Sequence, residues 1–333
     1  MARRGTGAAG GGIVILGIET SCDETAAALV TAGGEIRANV VSSQADLHAR
    51  YGGVVPEVAS RRHLELVVPV LREALAEADA ELDDVETVAV TQGPGLVGAL
   101  LVGLSAAKAL AWARRLPLVP VDHLHGHVAS LWLGADPLEP PFLCLLASGG
   151  HTLLLDVRAH DRYDVVGTSV DDAAGEAFDK GARLLGLGYP GGAAIDRLAQ
   201  EGDPESFRFP VARLDGHDFS FSGVKTALLY AVRDLGDGVD ARRADLAASY
   251  QRALVRALVE RTQAAAERLG HETIAVVGGV AANSELRGSL PGARFAPLAL
   301  CTDNAAMIAS AARYGRTLPY PRYLDLDAYA SRA

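Results

Sequence analysis

The chain has 333 residues, enough for two domains of ordinary size, and it is 49% hydrophobic and 22% charged, which excludes an intrinsically disordered protein. A formal net charge of −10 excludes a protein that coats nucleic acid nonspecifically, because such binding runs on neutralised phosphates. The cysteines Cys22, Cys144 and Cys301 are far apart and form no CxxC pair, which argues against a disulfide framework or a structural zinc site and for a reducing compartment.

The N-terminus carries Arg3-Arg4 but not the apolar run of an export signal, since Ile13 to Ile18 ends at Glu19. Residues 1–12 read as a flexible tail. Without a later uncharged apolar stretch of about 18 residues, the expected location is the cytoplasm, with no membrane partner.

Along the rest of the chain the main signal is a weak internal duplication. Ile13–Ile18, a polar turn Glu19–Thr25 and Ala26–Val30 predict strand, turn, strand. Phe142–Ala147, Ser148–Thr152 and Leu153–Val157 repeat that form. Each hairpin is followed by another strand, a glycine turn and a helix: Thr87–Thr91, Gly93-Pro94-Gly95 and Leu96–Arg114 in the first half, then Thr273–Val277, Gly278-Gly279 and a helix beginning near Ala281. The pattern predicts two related α/β lobes, each a mixed sheet flanked by helices, with a ligand cleft between them. The first lobe is expected over 13–135, the second over 136–315 with a helical insertion at about 172–270, and a C-terminal tail over 316–333. The 202–223 segment is long enough to bind substrate or a partner, or to be a plain connector.

Several motifs carry chemistry. Ser148-Gly149-Gly150-His151-Thr152 can bring backbone N–H groups close to an anion, or can be an ordinary hairpin turn. Asp23 and Glu24, in the matching first turn, would repel a bare phosphate; they suit holding a metal, binding an amine or activating a nucleophile. Gly278-Gly279-Val280-Ala281-Ala282-Asn283 at a strand-to-helix junction suits a nucleotide, with Asn283 able both to donate and to accept. In Val121-Asp122-His123-Leu124-His125-Gly126-His127, His123 and His127 are four residues apart and share a face if the segment is helical, whereas His125 points elsewhere. The segment lacks the glutamate of a zincin signature, which disfavours a metalloprotease. Asp303 or Thr302 could be a plain helix N-cap; as a third ligand beside two histidines, Asp303 would leave coordination positions open for substrate. Asp171 to Lys180 is acidic and helical in pattern, and Asp179 with the Gly191-Gly192 turn and Asp196 could line the cleft.

Taken together, LGIETSCDET (16–25), YGGVVPE (51–57), GPGLVGALLVG (93–103), SGGHT (148–152), DDAAGEAFDK (171–180), FSFSGVK (219–225), GGVAAN (278–283) and CTDNAAMI (301–308) closely resemble the TsaD (Gcp) family, over residues 13–315 and in the family's order. The resemblance implies a duplicated, two-lobed fold of the actin/Hsp70/sugar-kinase (ASKHA) type. It implies a tRNA N6-adenosine threonylcarbamoyltransferase that takes threonylcarbamoyl-AMP and adenosine 37 of tRNAs reading ANN codons and releases AMP. Carried over by residue, the metal ligands are His123, His127 and Asp303, binding one divalent ion per subunit, Fe2+ with Zn2+ as the alternative. Leu146, Ala147, Ser148, Gly149 and Gly150 form the substrate loop, and Asp179, Gly192, Asp196 and Asn283 contact the adenylate. Asp23 or Glu24 is the expected proton acceptor. The implied protein partners are a TsaB-like paralogue and a TsaE-like ATPase, and Arg242, Arg243 and Arg252 are the expected tRNA-facing patch. The family departs at His125, where Glu, Ala or Gly is usual. Competing readings are a small-molecule kinase of the same fold and a nucleotide-regulated binding protein of the Hsp70 type.

Overall fold

The computed structural model describes residues 14–331, so the stretch read as a flexible tail, 1–12, and the first residue of the first apolar run, Ile13, lie outside the described residues. Two five-stranded sheets repeat one topology. In the first, β1 (Val14–Glu19) is flanked by antiparallel β2 (Glu24–Thr31), followed by β3 (Ile36–Ser43), and on its other side by parallel β4 (Val85–Gly93) and β5 (Leu118–Asp122). In the second, β6 (Phe142–Ala147) plays the part of β1, with antiparallel β7 (Thr152–Ala159) and β8 (Arg162–Thr168) on one side and parallel β9 (Ile274–Val277) and β10 (Arg294–Phe295) on the other. The duplicated strand–turn–strand pattern therefore marks equivalent centres of two related sheets.

The strands β1, β2 and β4 of the first sheet are buried on both faces, as a parallel core requires. Leu16, Ile18, Ala27 and Leu29 face the helices α2 (Pro56–Glu77) and α3 (Val97–Arg114), preceded in the chain by a short α1 (Ala45–Ala49). Ile15, Ala26, Ala28 and Val30 face the opposite way, the period-two alternation of a pleated strand. That second face receives α4 (His123–Ala129) and, far along the chain, the last helix. The second lobe carries α5 (Ala174–Leu184), α6 (Gly191–Ala199), α7 (Ser222–Leu235), α8 (Val239–Leu269) and the short α9 (Ser284–Ser289), and the chain then returns to the first lobe as α10 (Ala305–Ala312). Gly181 lets α5 close on α8, since a Cβ there would stand 2.3 Å from the Tyr250 ring, and the Tyr250 hydroxyl donates to Ala177 O at 2.8 Å.

One expectation needs correction, and two others gain detail. The sequence reading puts residues 136–315 in one lobe, yet α10, inside that range, packs across β1 and β2 and against α4. All eight of its residues are buried, which a helix of small apolar side chains achieves only between two layers. Gly17 makes room for it: a Cβ would stand 2.3 Å from Ala305 O. The described residues of the expected C-terminal tail dock on the first lobe, with Leu318 bridging Leu118 and Tyr323 fully buried. The segment after Gly202 is irregular to Phe221 but tied down: Arg261 donates to Leu214 O at 2.7 Å and Gly216 O at 3.0 Å, and Phe207 N donates to Ser249 Oγ at 3.1 Å.

Among the described residues only α3 has the length and apolarity of a membrane span. Leu100, Leu104, Ala107 and Ala111 are buried in the protein, and Lys108 donates to Leu324 O at 3.0 Å, as expected of a core helix.

Candidate metal centre and adenylate-facing wall

The candidate centre begins at the end of β5. Asp122 Oδ1 accepts from Leu124 N at 3.0 Å and His125 N at 3.1 Å and so caps α4. One helical turn then sets His123 and His127 on one face, their ring centroids 4.8 Å apart. His125 points away, as expected: its Nε2 lies 2.6 Å from His160 O and its ring packs on Trp132 and Tyr163.

Asp303 comes from the turn before α10. Asn304, not Thr302 or Asp303, is the N-cap, its Oδ1 accepting from Met307 N at 3.0 Å, and this leaves the Asp303 carboxylate for the histidines. Asp303 Oδ1 stands 3.2 Å from His127 Nε2 and 3.6 Å from His123 Nε2, and one donor atom from each of the three residues falls within 4.8 Å of the others.

One observation favours a cation here over a hydrogen-bonded core cluster, and the charges describe the cluster without an ion. Both ring nitrogens of His127 are buried; Nδ1 has no hydrogen-bond partner, and Nε2 faces only the Asp303 carboxylate, at 3.2 Å. An imidazole nitrogen in that state is unsatisfied unless an ion binds it. The charges are also uneven. Burial opposes a charged His123, but the carboxylates of Asp303 and Glu19 outweigh it and push the imidazole up to about 9. Burial works against the Asp303 carboxylate too, and the two imidazoles still hold it well below the usual carboxylate range. The residues present fit a divalent metal: two imidazoles and a carboxylate are the donor set of non-haem iron(II) and of open zinc sites.

Sequence reasoning missed the residues behind these ligands. Glu19 is fully buried, its Oε2 3.0 Å from His123 Nδ1 and accepting from Thr91 Oγ1 at 2.6 Å, while Ser21 Oγ also lies 3.2 Å from His123 Nδ1. A glutamate closing an apolar strand run was the one signal available. His151, at the end of the glycine turn, is half-buried and within electrostatic reach of His123, His127 and Asp303; burial first, then the imidazoles' charges, pull its pKa down.

The second lobe supplies a continuous wall. Ser148 N closes the glycine turn on His151 O at 2.8 Å, and Gly149 and Gly150 are exposed, with open space where side chains would stand. Leu146 and Ala147 are buried strand residues beneath it. Gly175, at the start of α5, and Gly278, at φ 89°, press on this turn: a Cβ would lie 2.5 Å from Ser148 O in one case and 2.4 Å from Ala147 O in the other. From α5, Asp179 accepts from Gly191 N at 2.7 Å, next to Gly192, and burial raises its pKa. From α6, Asp196 Oδ1 accepts from Ser284 Oγ at 2.7 Å and from Asn283 Nδ2 at 3.2 Å. Asn283 also caps α9 and donates to Gln251 Oε1 at 2.8 Å.

Opposite this wall, the β1–β2 turn holds Asp23 and Glu24, whose charges are felt at Tyr189 and, from Asp23, at Asp179. Burial, then the charges of Asp303 and Asp23, push the Glu24 carboxyl up. The expected arginine patch is not free. Arg242 pairs with Asp245 at 2.8 Å, Arg243 pairs with Asp240, and Arg252 pairs with Glu285 and with Glu205 at 3.3 Å.

The model of the TsaD family, described as tRNA N6-adenosine threonylcarbamoyltransferase, matches residues 35–310. A protein of that name from Symbiobacterium thermophilum is 54% identical over 324 residues, covering 95% of each chain. Another, from Anaeromyxobacter dehalogenans strain 2CP-1, is 56% identical over 309 residues, covering 89% of this chain and 92% of the relative. Among solved structures, component A of the Acidaminococcus fermentans (R)-2-hydroxyglutaryl-CoA dehydratase aligns with a TM-score of 0.55 at 16% identity, over 94% of this chain and 100% of that one. HypF of T. kodakarensis aligns with a TM-score of 0.59 at 16% identity, over 91% of this chain and 48% of that one. These two likenesses show the fold alone.

Proposed function

This chain belongs to the TsaD family of tRNA N6-adenosine threonylcarbamoyltransferases, and from that premise we propose a reading of its two-lobed, actin/Hsp70/sugar-kinase-type site. The site binds threonylcarbamoyl-AMP and passes the threonylcarbamoyl group to N6 of adenosine 37 in tRNAs that read ANN codons, with AMP released. The observation that carries this reading is the convergence of His123, His127 and Asp303 from distant parts of the chain, beside a glycine turn open to solvent. The small-molecule kinase reading shares the fold but is not favoured by the names of the close relatives.

His123, His127 and Asp303 would hold one divalent ion, Fe2+ in preference to Zn2+, the two-histidine, one-carboxylate set supporting iron(II). A bound ion would supply positive charge that polarises the acyl oxygen and fixes its orientation. The remaining work belongs to the protein. The turn at Ser148-Gly149-Gly150 leaves room for the adenylate phosphate, where backbone dipoles stabilise the leaving charge. Asp179, Gly192 and the linked pair Asp196 and Asn283 form the seat for the nucleoside. The adenosine N6 attacks the carbamoyl carbon, the bond from that carbon to the phosphate oxygen breaks, and one N6 proton leaves. Asp23 or Glu24, side by side at the start of β2, takes that proton.

A TsaB-like paralogue and a TsaE-like ATPase are the expected partners. An exposed apolar face supports the first: Leu64 and Val68 on α2 and Val97 and Leu101 on α3. The tRNA substrate supports a cytoplasmic location.

The test combines metal analysis of anaerobically purified protein with transfer assays of His123→Ala and Asp303→Ala. Both variants should lose transfer and the ion together while keeping wild-type circular dichroism. Full transfer by either variant, with no bound ion, would overturn the metal reading.

A further inference from the structure

The C-terminal segment makes a contact that none of the sequence motifs includes. After the bridge at Leu318 the chain runs back over the first lobe, held by Lys108 Nζ donating to Leu324 O at 3.0 Å and by Gln92 Nε2 donating to Asp327 O at 2.8 Å. Tyr329 N donates to Gln92 O at 3.2 Å, and Gly95 N donates to Ala330 O at 3.2 Å. Tyr329 then lies flat on Gly93, where a Cβ would meet its carbonyl at 2.3 Å and its ring at 2.8 Å. From this seat its hydroxyl donates to Asp122 Oδ2 at 2.8 Å.

Asp122 divides its carboxylate between two tasks. Oδ1 caps α4 through Leu124 N and His125 N, with the Tyr163 hydroxyl 3.5 Å away, while Oδ2 receives Tyr329. The helix it caps has seven residues, too few to hold its own geometry in isolation, and His123 is its first residue. The cap, together with the packing of Gly126 on Ile308 in α10, therefore sets where both imidazoles point. The turn under Tyr329 reaches the centre by a second route. Leu96 N donates to Ser21 O at 2.8 Å, and Ser21 Oγ lies 3.2 Å from His123 Nδ1.

We propose that the C-terminal segment is a positioning strap for the metal centre: the Tyr329 hydroxyl fixes the Asp122 carboxylate, and through it the start of α4 and the imidazoles of His123 and His127. Tyr329 acts here through the Asp122 carboxylate, so it is a positioning residue. The proposal rests on the metal reading of His123, His127 and Asp303, but the strap's hold on α4 can be read without an ion.

The experiment uses the full chain and two measurements. Co2+ alone is titrated into wild type and variants, followed by its visible d–d absorption, and amide exchange over residues 118–130 is measured on the same proteins without metal. Tyr329→Phe keeps the ring and removes the hydroxyl. It should weaken Co2+ binding about three- to tenfold, less than the roughly 10- to 100-fold of a ligand's direct partner because Tyr329 acts one residue further out, and shift the d–d band, with unchanged circular dichroism. Exchange at Leu124 and His125 should quicken. Asp122→Ala should weaken Co2+ binding further, and Tyr329→Phe should add nothing in that background, the mark of one shared pathway. Unchanged exchange together with Co2+ affinity within about twofold of wild type would overturn the strap, as would full additivity of the two substitutions. If wild type takes up no Co2+, the metal reading fails on its own, and the exchange data alone decide whether the strap orders α4.

Discussion

Glu19 and His123 meet at 3.0 Å, carboxylate Oε2 to imidazole Nδ1, on the ring edge turned away from Asp303. A buried carboxylate behind a ligating histidine fixes the tautomer that leaves Nε2 free for a metal and raises the basicity of that nitrogen. Glu19→Gln keeps the shape and removes the charge. It is expected to lower Co2+ or Zn2+ affinity by about 10- to 100-fold in a chelator competition, with the fold intact by circular dichroism. Wild-type affinity in this variant would mean that Glu19 serves only the hydrogen bonds from Thr91 and from Ser21 N.

Gly17→Ala tests the docking of α10. The added methyl would meet Ala305 O at 2.3 Å, a backbone atom that cannot swing aside, so helix and strand must separate. Overpacking of this kind costs about 1–3 kcal/mol, read as a lower denaturation midpoint at unchanged slope. Because Asp303 sits two residues before α10, the same variant should also bind metal more weakly. A loss of stability with wild-type metal affinity would show that Asp303 is placed independently of the helix.

The sequence carried the duplication and the facing histidine pair for local reasons. Buried runs such as Phe142–Ala147, broken by a polar turn, announce central strands, and histidines four residues apart announce a shared helix face. What stayed hidden depends on distance along the chain. Nothing near Ala305 says that it will lie on Gly17, and nothing near Tyr329 points to Asp122. Arg252 resembled a free cation because its partners, Glu205 and Glu285, are far from it in sequence. β3 and β8 escaped notice because each is only partly buried and shows no continuous apolar run.

Asp172 gives a pH prediction. Burial acts to raise its pKa, but Lys180 at 2.6 Å and Lys225 at 2.7 Å hold it below the usual carboxylate range. A depressed acid contributes stability above its unfolded pKa and loses that contribution as pH falls through its folded value. Wild type should therefore melt above Asp172→Asn at pH 7, and the gap should close as the pH is lowered below about 4. A gap that stays constant across this range would assign the difference to packing and not to the paired charge.

The exposed face of α2 and α3 yields a prediction about assembly. Leu64 is 66% exposed and Leu101 41%, each four residues from another exposed apolar side chain, Val68 and Val97. The helices lie close at this end, since a Cβ on Gly98 would stand 2.6 Å from Ser60 Oγ. The two pairs belong to neighbouring helices, and an apolar surface of this kind is typical of a protein–protein contact. Leu64→Asp with Leu101→Asp places two charges on it without touching the core. The double variant should remain folded and keep wild-type Co2+ affinity, while its association with a TsaB-like paralogue weakens roughly tenfold or more in sedimentation analysis, since a charge buried at an interface is left unpaired. Undiminished association would move the paralogue's docking site to another face of the chain.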